Sequence, residues 1–251
     1  MPMCGASIDQ SRHGTKPPMK PISSEALILA GGLGTRLRTA VSDRPKPIAT
    51  IRDQPFIAFL LDQLVRNGFR RAVICVGHMG ELVPKALGQN FGPLELAYSF
   101  EHTPLGTGGA LRNAYGLTSE SDVLAMNGDS FCDFDLGALA EAHRRLGAQV
   151  TMTVLQQSDR RRAGTVVVGQ GGRVVEFQSR PSADTPGLIN AGVYMFRREA
   201  FLAVPEGRKV SLEEEVFPAM VQTGTLFAVP VEGRFIDIGT PESYAAAQTF
   251  F

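Results

Sequence analysis

The sequence predicts an α/β fold, a Rossmann-like three-layer arrangement in which a mostly parallel central sheet lies between helices and carries a smaller β-rich lobe. Three observations predict it. Short apolar runs, typical of buried strands, alternate with segments of helical spacing in the first part of the chain. Glycine-rich turns follow two of the predicted strands. After Gly147 the alternation stops and β-rich segments replace it.

The first part of the chain supplies most of the alternation. Glu25–Ala30 is a short apolar run ending in glycines, which is typical of a buried strand. Pro55–Arg66 has helical spacing, a proline at its start and Gly68 just past its end, which indicates a helix. Three further strands are predicted over Ala72–Val76, Glu95–Phe100 and Val123–Met126. Further helices are predicted near Glu81–Leu87, after the turn Gly106–Gly109, and over Leu136–Leu146 with Asp135 as N-cap.

The second part of the chain is richer in strands. They are predicted over Val150–Leu155, Thr165–Val168, Arg173–Phe177 and Asn190–Phe196. Phe235–Asp237 is expected to return to the sheet edge, and Pro241–Phe251 to form a closing helix. We therefore divide the chain into a flexible polar arm over 1–23 and one domain over 24–251. Within the domain, 24–147 is the first half, 148–234 is a lobe closing over the site, and 235–251 is the closing strand and helix.

Composition excludes several classes of protein. The chain has 251 residues, and its 25 Lys and Arg balance its 25 Asp and Glu, which argues against a general nucleic-acid binder. It has no apolar run long enough for a transmembrane helix and no apolar segment near its start typical of a secretory signal. The three cysteines lack CxxC spacing, so neither a zinc site nor a disulfide framework is predicted. A cytoplasmic location without membrane or nucleic-acid partners is expected, and a homo-oligomer is left open.

The turn after the first strand, GGLGTRLR at Gly31–Arg38, presents backbone N–H groups in a tight loop that suits an anion. The P-loop spacing is absent, and the dinucleotide fingerprint fails because Leu37 occupies the place of its third glycine. Arg36 and Lys46 place two cations near this loop, which favours a triphosphate. The alternative is an ordinary strand-to-helix turn.

GGLGTRLR followed by Pro-Lys-Pro at 45–47 resembles the signature GGxGTRLxPLTxxxPKP of the sugar-1-phosphate nucleotidylyltransferases. The segment LAGGLGTRLRTAVSDRPKP is most similar to the branch of D-glycero-α-D-manno-heptose 1-phosphate guanylyltransferases. The resemblance covers roughly Glu25 to Phe251 and departs from the signature at Thr39-Ala40, where the family has Pro-Leu. It implies the nucleotidyltransferase form of the predicted fold, with a nucleotide-binding first half and a sugar-binding lobe.

The resemblance also implies catalytic roles. Arg36 would contact the β- and γ-phosphates and assist the departure of pyrophosphate, Lys46 would lie beside the α-phosphate, and Asp129 completes the catalytic set. The reaction brings the phosphate of the sugar next to the triphosphate of the nucleotide. Each pair of unit charges about 4 Å apart repels by roughly 4 kcal/mol at an effective dielectric near 20, so the site needs cations. The implied nucleotide-binding residues are Leu29, Ala30, Gly31, Gly32, Gly34, Thr35, Arg36, Glu101, Gly106 and Thr107.

Two aspartates, Asp129 in VLAMNGD and Asp237 in FIDIGTP, end predicted strands at the usual ligand face of such a sheet. The resemblance assigns both to Mg²⁺, which proteins hold through one or two carboxylates plus substrate phosphates. The alternative is that both are turn-forming aspartates.

A competing metal motif is the D-x-D at Asp133 and Asp135, which in GT-A glycosyltransferases holds the metal of a nucleotide sugar. Asp135 has a simpler role as the N-cap of the following helix. A glycosyltransferase is therefore kept as the second hypothesis.

Base recognition is implied for the stretch from Glu101, EHTPLGTGGA, which matches the family pattern Q/E-x-x-PLGT-x-GA. Guanine presents two adjacent donors to one carboxylate, whereas uracil and thymine present one donor flanked by carbonyls. A charge-assisted hydrogen bond contributes roughly 1.5–3 kcal/mol, so Glu101 could favour guanine tenfold or more. The alternative is a solvated glutamate at a strand end.

Sugar-phosphate binding is implied for Asn127, Gly164, Arg180 and Asn190, of which Asn190 begins an N-x-G element. VEFQSRP aligns with the family element V-x-x-F-x-EKP, so Ser and Arg stand where the family has Glu and Lys. Arginine keeps the charge and adds a bidentate fork. The alternative for Arg180 is a surface-loop arginine.

The predicted reaction joins an NTP and a sugar 1-phosphate to give an NDP-sugar and pyrophosphate. GTP and D-glycero-α-D-manno-heptose 1-phosphate, with Mg²⁺, are the expected substrates, for surface polysaccharide synthesis. Mannose 1-phosphate guanylyl transfer and uridylyl or thymidylyl transfer are the nearest alternatives. A non-catalytic regulatory subunit is a third hypothesis, disfavoured because all four groups expected to act on phosphates or metal are retained.

Overall fold

The computed structural model describes residues 23–32, 34, 36–37, 40–158, 163–179 and 186–251. The arm predicted over 1–23 lies outside these residues except for Ser23. That serine is buried, and its hydroxyl donates to the carbonyl of Glu25 at 2.7 Å. In the described part of the chain no helix is long and apolar enough to cross a membrane.

The described residues form strands and helices in alternation. The strands are β1 (Glu25–Leu29), β2 (Thr50–Ile51), β3 (Gln54–Pro55), β4 (Arg71–Val76), β5 (Asn90–Phe91), β6 (Leu94–Phe100), β7 (Asp122–Asn127), β8 (Ser130–Cys132), β9 (Val150–Gln157), β10 (Thr165–Val168), β11 (Val174–Gln178), β12 (Gly187–Arg197), β13 (Leu226–Pro230) and β14 (Phe235–Asp237). The helices are α1 (Phe56–Arg66), α2 (Leu82–Leu87), α3 (Gly106–Tyr115), α4 (Leu136–Leu146), α5 (Arg198–Leu202), α6 (Phe217–Thr223) and α7 (Pro241–Phe250). Short 3-10 turns cover Lys46–Ile48 and Gln170–Gly172, and a π-helical turn covers Leu212–Val216.

One large sheet organises the molecule. Its strand order is β11-β10-β12-β7-β1-β4-β6-β5, and β9 and β13 continue it from β12. The strands β7, β1, β4 and β6 are mutually parallel, whereas β12 runs antiparallel to β7. Because β1, β4 and β7 are parallel neighbours, the loops that follow them emerge at the same edge.

The core lies on both faces of this sheet. Leu27 and Ile28 are consecutive in β1 and point to opposite faces, as strand geometry requires. Ile28 joins the buried cluster that contains Leu60 of α1, and Leu27 joins the one that contains Ala114 of α3. Helices therefore cover both faces of the sheet, which confirms the predicted three-layer α/β class.

Most predicted elements are found, with two corrections. The glycines at 106–109 were predicted to form a turn before a helix, but they form the first turn of α3. The strand Phe235–Asp237 pairs with β8 in a separate two-stranded sheet and does not join the main sheet's edge. The N-cap prediction is confirmed, since Asp135 Oδ1 accepts from the Gly137 N–H at 2.8 Å.

A buried histidine makes stability depend on pH. His143 of α4 is fully buried, with Nδ1 2.8 Å from the Thr151 hydroxyl, and its Nε2 has no hydrogen-bond partner among the described residues. Burial, with a smaller contribution from Arg197, lowers the pKa of His143 to about 4. Between pH 6.5 and 4, His143 is therefore protonated in the unfolded chain but neutral in the folded chain.

We therefore expect the free energy of unfolding to fall as the pH drops from about 6.5 to about 4. The contribution of this one group is at most about 1.4 kcal/mol per pH unit. Chemical denaturation at several pH values, on wild type and His143→Leu, measures it. The variant should show a flatter pH dependence in this window, and equal slopes would refute the assignment.

Candidate active site

The turn between β7 and β8 lies against the end of β1. Leu29 and Asn127 are paired at the ends of these parallel strands, and the Gly128 N–H donates to the Leu29 carbonyl at 2.9 Å. A Cβ on Gly128 would lie 2.5 Å from that carbonyl oxygen. Position 128 therefore requires glycine. The contact between Gly128 and Leu29 brings Asp129 close to the turn at Gly31–Arg38.

The small β8–β14 sheet brings the second aspartate to the first. Asp237 pairs with Ser130, and the Ile238 N–H donates to the carbonyl of Asp129 at 2.9 Å. Asp237 Oδ1 accepts from the Gly239 N–H at 2.8 Å and, more weakly, from the Ser243 hydroxyl at 3.4 Å. Two aspartates 108 positions apart in sequence are thus brought to neighbouring backbone positions.

Lys46 joins this pair from the other side. Its Nζ lies 3.0 Å from Asp129 Oδ2, and its side chain is only 14% exposed. The stem of the lysine packs on Gly34, where a Cβ would lie 3.1 Å from Lys46 Cγ. Gly34 has a φ of +62°, a left-handed conformation that also favours glycine. Gly34 of the glycine turn therefore packs directly against the lysine side chain.

Arg36 completes the set of four charged groups. It is exposed, and its Nη2 lies 4.0 Å from the position that a Cβ on Gly239 would take. The guanidinium is thus beside the Asp237 loop, although it does not line the main cleft. Lys46 and Asp129 thus meet in the cleft, whereas Arg36 and Asp237 both lie beside Gly239, outside its lining.

The cleft bordered by Lys46 and Asp129 has a volume of about 350 Å³. Its walls come from the glycine turn, the Pro-Lys-Pro motif, the start of α3, the end of β7 and the π-helical turn. The lining residues are Leu29, Ala30, Gly32, Lys46, Pro47, Thr107, Asn127, Asp129 and Glu213. A second cleft of about 280 Å³ shares Gly32 and Lys46 with it and extends past Gly34 to His78. Lys46 therefore borders both clefts.

The carboxylates fit a hard cation. Asp129 Oδ1 and Asp237 Oδ2 accept no hydrogen bond from any described residue, so each aspartate keeps one oxygen available. Within the described ranges no three His, Cys, Asp or Glu side chains form a metal-binding group. Carboxylate oxygens are ligands that suit Mg²⁺, so Asp129 and Asp237 are the residues that would hold such an ion together with substrate phosphates.

Glu101 lies beside the glycine turn, at the end of β6. Its Oε2 accepts from the Leu105 N–H at 2.8 Å, and a Cβ on Gly31 would lie 2.6 Å from its Oε1. Only glycine at position 31 permits this approach. Burial raises the pKa of the Glu101 carboxyl, and the hydrogen bond from Leu105 partly offsets the effect. The carboxylate is therefore next to the backbone that was predicted to hold the nucleotide.

The predicted sugar-side residues form a cluster around a buried tyrosine. The Asn190 N–H donates to the Gly164 carbonyl at 2.8 Å, and Asn190 Nδ2 donates to the Tyr194 hydroxyl at 2.7 Å. Asn127 Nδ2 lies 2.8 Å from the position that a Cβ on Gly192 would take, and burial raises the pKa of Tyr194. Asn127, Gly164 and Asn190 are thus brought together, whereas Arg180 and Thr35 lie outside the described residues.

The structure adds a wall that the sequence analysis did not identify, the segment 210–216. Gly106 and Gly109 were expected to leave room for a base or to turn the chain. A Cβ would lie 2.5 Å from the Val210 carbonyl oxygen on Gly106 and 2.5 Å from the Arg208 carbonyl oxygen on Gly109, so these glycines admit the backbone of residues 208–210. The Thr107 hydroxyl donates to Glu213 Oε2 at 2.7 Å and accepts from the Leu212 N–H at 2.8 Å.

The competing D-x-D motif does not meet the cleft. Asp133 is exposed, and Asp135 caps α4. Neither residue lines the space beside Lys46 and Asp129.

Comparison with known proteins places the chain in a family. Residues 25–251 match the family described as Nucleotidyl transferase, and the chain belongs to it. It is a sugar-1-phosphate nucleotidyltransferase.

Two relatives and one solved structure illustrate the similarity. The chain is 33% identical over 224 residues to D-glycero-alpha-D-manno-heptose 1-phosphate guanylyltransferase of Aneurinibacillus thermoaerophilus, covering 89% of this chain and 96% of the relative. It is 32% identical to the catalytic subunit beta of mannose-1-phosphate guanylyltransferase from Drosophila pseudoobscura pseudoobscura, covering 99% of this chain but 66% of the relative. The crystal structure of HddC from Yersinia pseudotuberculosis complexed with GMP-PN superposes with a TM-score of 0.78 at 29% identity, covering 89% of this chain and 97% of HddC.

Proposed function

We propose that this enzyme transfers a guanylyl group from GTP to D-glycero-α-D-manno-heptose 1-phosphate, yielding a GDP-heptose and pyrophosphate. The observation that carries the proposal is the contact between Lys46 and Asp129 at 3.0 Å, in a cleft that is also lined by Gly32 of the glycine turn and by Asn127. The relatives from Aneurinibacillus thermoaerophilus and Campylobacter jejuni, which carry that guanylyltransferase name and are covered over 96% of their length, support it. The enzyme would act in the cytoplasm and supply surface polysaccharide synthesis.

The chemistry is a single in-line displacement. A phosphate oxygen of the sugar 1-phosphate attacks the α-phosphorus of GTP, and the bond from that phosphorus to the bridging oxygen breaks as pyrophosphate leaves. Lys46, which lies 3.0 Å from Asp129, would neutralise charge at the α-phosphate, and Arg36 would stabilise the departing pyrophosphate. Orientation of the two reactants in one cleft can itself contribute about 7–11 kcal/mol.

Mg²⁺, held by Asp129 and Asp237, would neutralise developing charge on the phosphates when bound. The lysine beside Asp129 keeps that carboxylate in one position before substrates arrive. The backbone N–H groups of the glycine turn offer further donors to phosphate oxygens. No covalent intermediate is needed, because both reacting phosphates can occupy the same cleft.

The base preference is tested at Glu101. In Glu101→Gln the side chain keeps an acceptor for the Leu105 N–H but loses the charge that pairs with two guanine donors. We expect kcat/KM for GTP to fall about tenfold or more while the values for other nucleotides change little. Pyrophosphate release with GTP, ATP, UTP, CTP and dTTP measures the preference.

The matched control is Glu95→Gln, on the same strand, where the carboxylate is exposed and pairs with Arg71 at 3.2 Å. It should keep the wild-type preference. An unchanged preference in Glu101→Gln would remove Glu101 from the base pocket.

The sugar is assigned by crossing the same nucleotides with heptose, mannose and glucose 1-phosphates. We expect the highest kcat/KM for GTP with the heptose phosphate. Mannose-1-phosphate guanylyl transfer is the second candidate, because relatives of that name are 31–33% identical to this chain. A higher value with mannose 1-phosphate would replace the first proposal by the second.

A further inference from the structure

Glu213 is a carboxylate in the cleft that the sequence analysis did not consider. The π-helical turn at 212–216 carries it, and it lines the cleft together with Lys46 and Asp129. Its Oε2 accepts from the Thr107 hydroxyl at 2.7 Å and from the Ser211 hydroxyl at 3.2 Å. Its Oε1 has no hydrogen-bond donor among the described residues, so one oxygen is held in place and the other is available to a ligand.

The helical turn does not need this carboxylate as a cap. Ser211 is the N-cap, and its hydroxyl accepts from the Glu214 N–H at 3.1 Å. The Ser211 N–H in turn donates to Glu215 Oε1 at 2.9 Å. Both capping contacts are therefore made by neighbours of Glu213. The bonds to Thr107 and Ser211 instead fix the direction of its side chain across the cleft.

The position of Glu213 relates it to the sugar side. Glu213 and Asn127 line the same cleft, and Asn127 is one of the residues implied to bind the sugar phosphate. Asn127 in turn adjoins the Asn190–Gly192 turn, because its Nδ2 lies 2.8 Å from the position that a Cβ on Gly192 would take. Glu213 thus stands beside the cluster proposed to bind the sugar, in a cleft whose other side carries Lys46.

We infer that Glu213 is a specificity-determining residue that accepts hydrogen bonds from ring hydroxyl groups of the sugar 1-phosphate. A carboxylate is only an acceptor, and sugar hydroxyls are the donors that this substrate offers. The same carboxylate repels a phosphate, whereas Lys46 attracts it. Glu213 and Lys46 together would orient the substrate, with its phosphate toward Lys46 and its ring toward Glu213. This inference rests on the proposed function.

The test is Glu213→Gln, assayed with the full chain. We expect KM for the sugar 1-phosphate to rise about tenfold or more, as for the loss of a charge-assisted hydrogen bond, with KM for GTP unchanged. Glu215→Gln is the matched control, because Glu215 is an exposed glutamate of the same turn that serves only its cap. It should keep the wild-type KM for both substrates.

Deoxy analogues of the preferred sugar 1-phosphate, lacking the 2-, 3- or 4-hydroxyl, separate contact from structure. Wild type should lose about tenfold or more in kcat/KM on at least one analogue, and Glu213→Gln should show little further loss on that analogue. Equal losses in both proteins, or a raised KM for GTP in place of the sugar phosphate, would overturn the inference. If wild type released no pyrophosphate with any sugar 1-phosphate, the proposed function would fail first. Normal wild-type turnover with an unaffected variant would remove only the role of Glu213.

Discussion

Replacing Lys46 with alanine is expected to lower kcat by about 100- to 1,000-fold. Its ammonium group lies 3.0 Å from Asp129 and is largely shielded from water, so it is a preorganised cation at the place where two phosphates must meet. Loss of one such group costs about 2.7–4 kcal/mol of transition-state stabilisation. Steady-state pyrophosphate release at saturating Mg²⁺ measures the effect.

The control for this variant is Arg66→Ala, which removes a surface cation paired with Asp62 at 3.1 Å. It should leave kcat within about twofold of wild type, because exposed ion pairs contribute little. The kcat of Lys46→Arg should lie between those of wild type and Lys46→Ala, because arginine keeps the positive charge but places it differently. Wild-type turnover in Lys46→Ala would contradict the proposed phosphate contact.

Replacing Asp129 with asparagine is expected to lower turnover about 100-fold or more and to raise the Mg²⁺ concentration for half-maximal activity at least tenfold. Asp237→Asn should change both quantities in the same direction. Because both carboxylates would hold one ion, the double variant should lose less than the product of the two single losses. Turnover as a function of Mg²⁺ concentration, in all three variants, measures this coupling.

Asp133→Asn is the matched control for these variants, since Asp133 is an exposed aspartate of the competing D-x-D motif. It should keep the wild-type Mg²⁺ dependence. A strong effect of Asp133→Asn together with a weak effect of Asp129→Asn would reverse the assignment.

The parts of the site that follow directly after strands could be predicted from sequence. Gly31, Asn127 and Asp129 come at or just after the ends of β1 and β7, and strand runs are visible as apolar segments bounded by glycine. Since parallel neighbours end at one edge, their loops had to meet. Asp237 was also predicted as a site residue, but through the resemblance to a family motif. Its strand was predicted to join the main sheet, and this was wrong. Its actual partner, β8, has only three residues and little pattern of its own.

Glu213 could not be found in this way. It depends on a hydrogen bond to Thr107, 106 positions earlier, and on a π-helical turn that no local pattern specifies. The sequence does contain a helix-start signal, Ser211 followed three residues later by Glu214. Such a signal predicts the N-cap residue, but it does not predict that the side chain of Glu213 points into the cleft. The strand β13 was missed for a related reason, because its parallel pairing with β9 is decided by long-range packing.

The most direct test of the account is the stoichiometry of the wild-type reaction, followed by ³¹P NMR with GTP, Mg²⁺ and D-glycero-α-D-manno-heptose 1-phosphate and no other acceptor. We expect each sugar 1-phosphate consumed to yield one GDP-sugar and one pyrophosphate. Unchanged phosphate resonances in that mixture, together with release of GDP when a GDP-sugar and a second sugar are supplied, would contradict it.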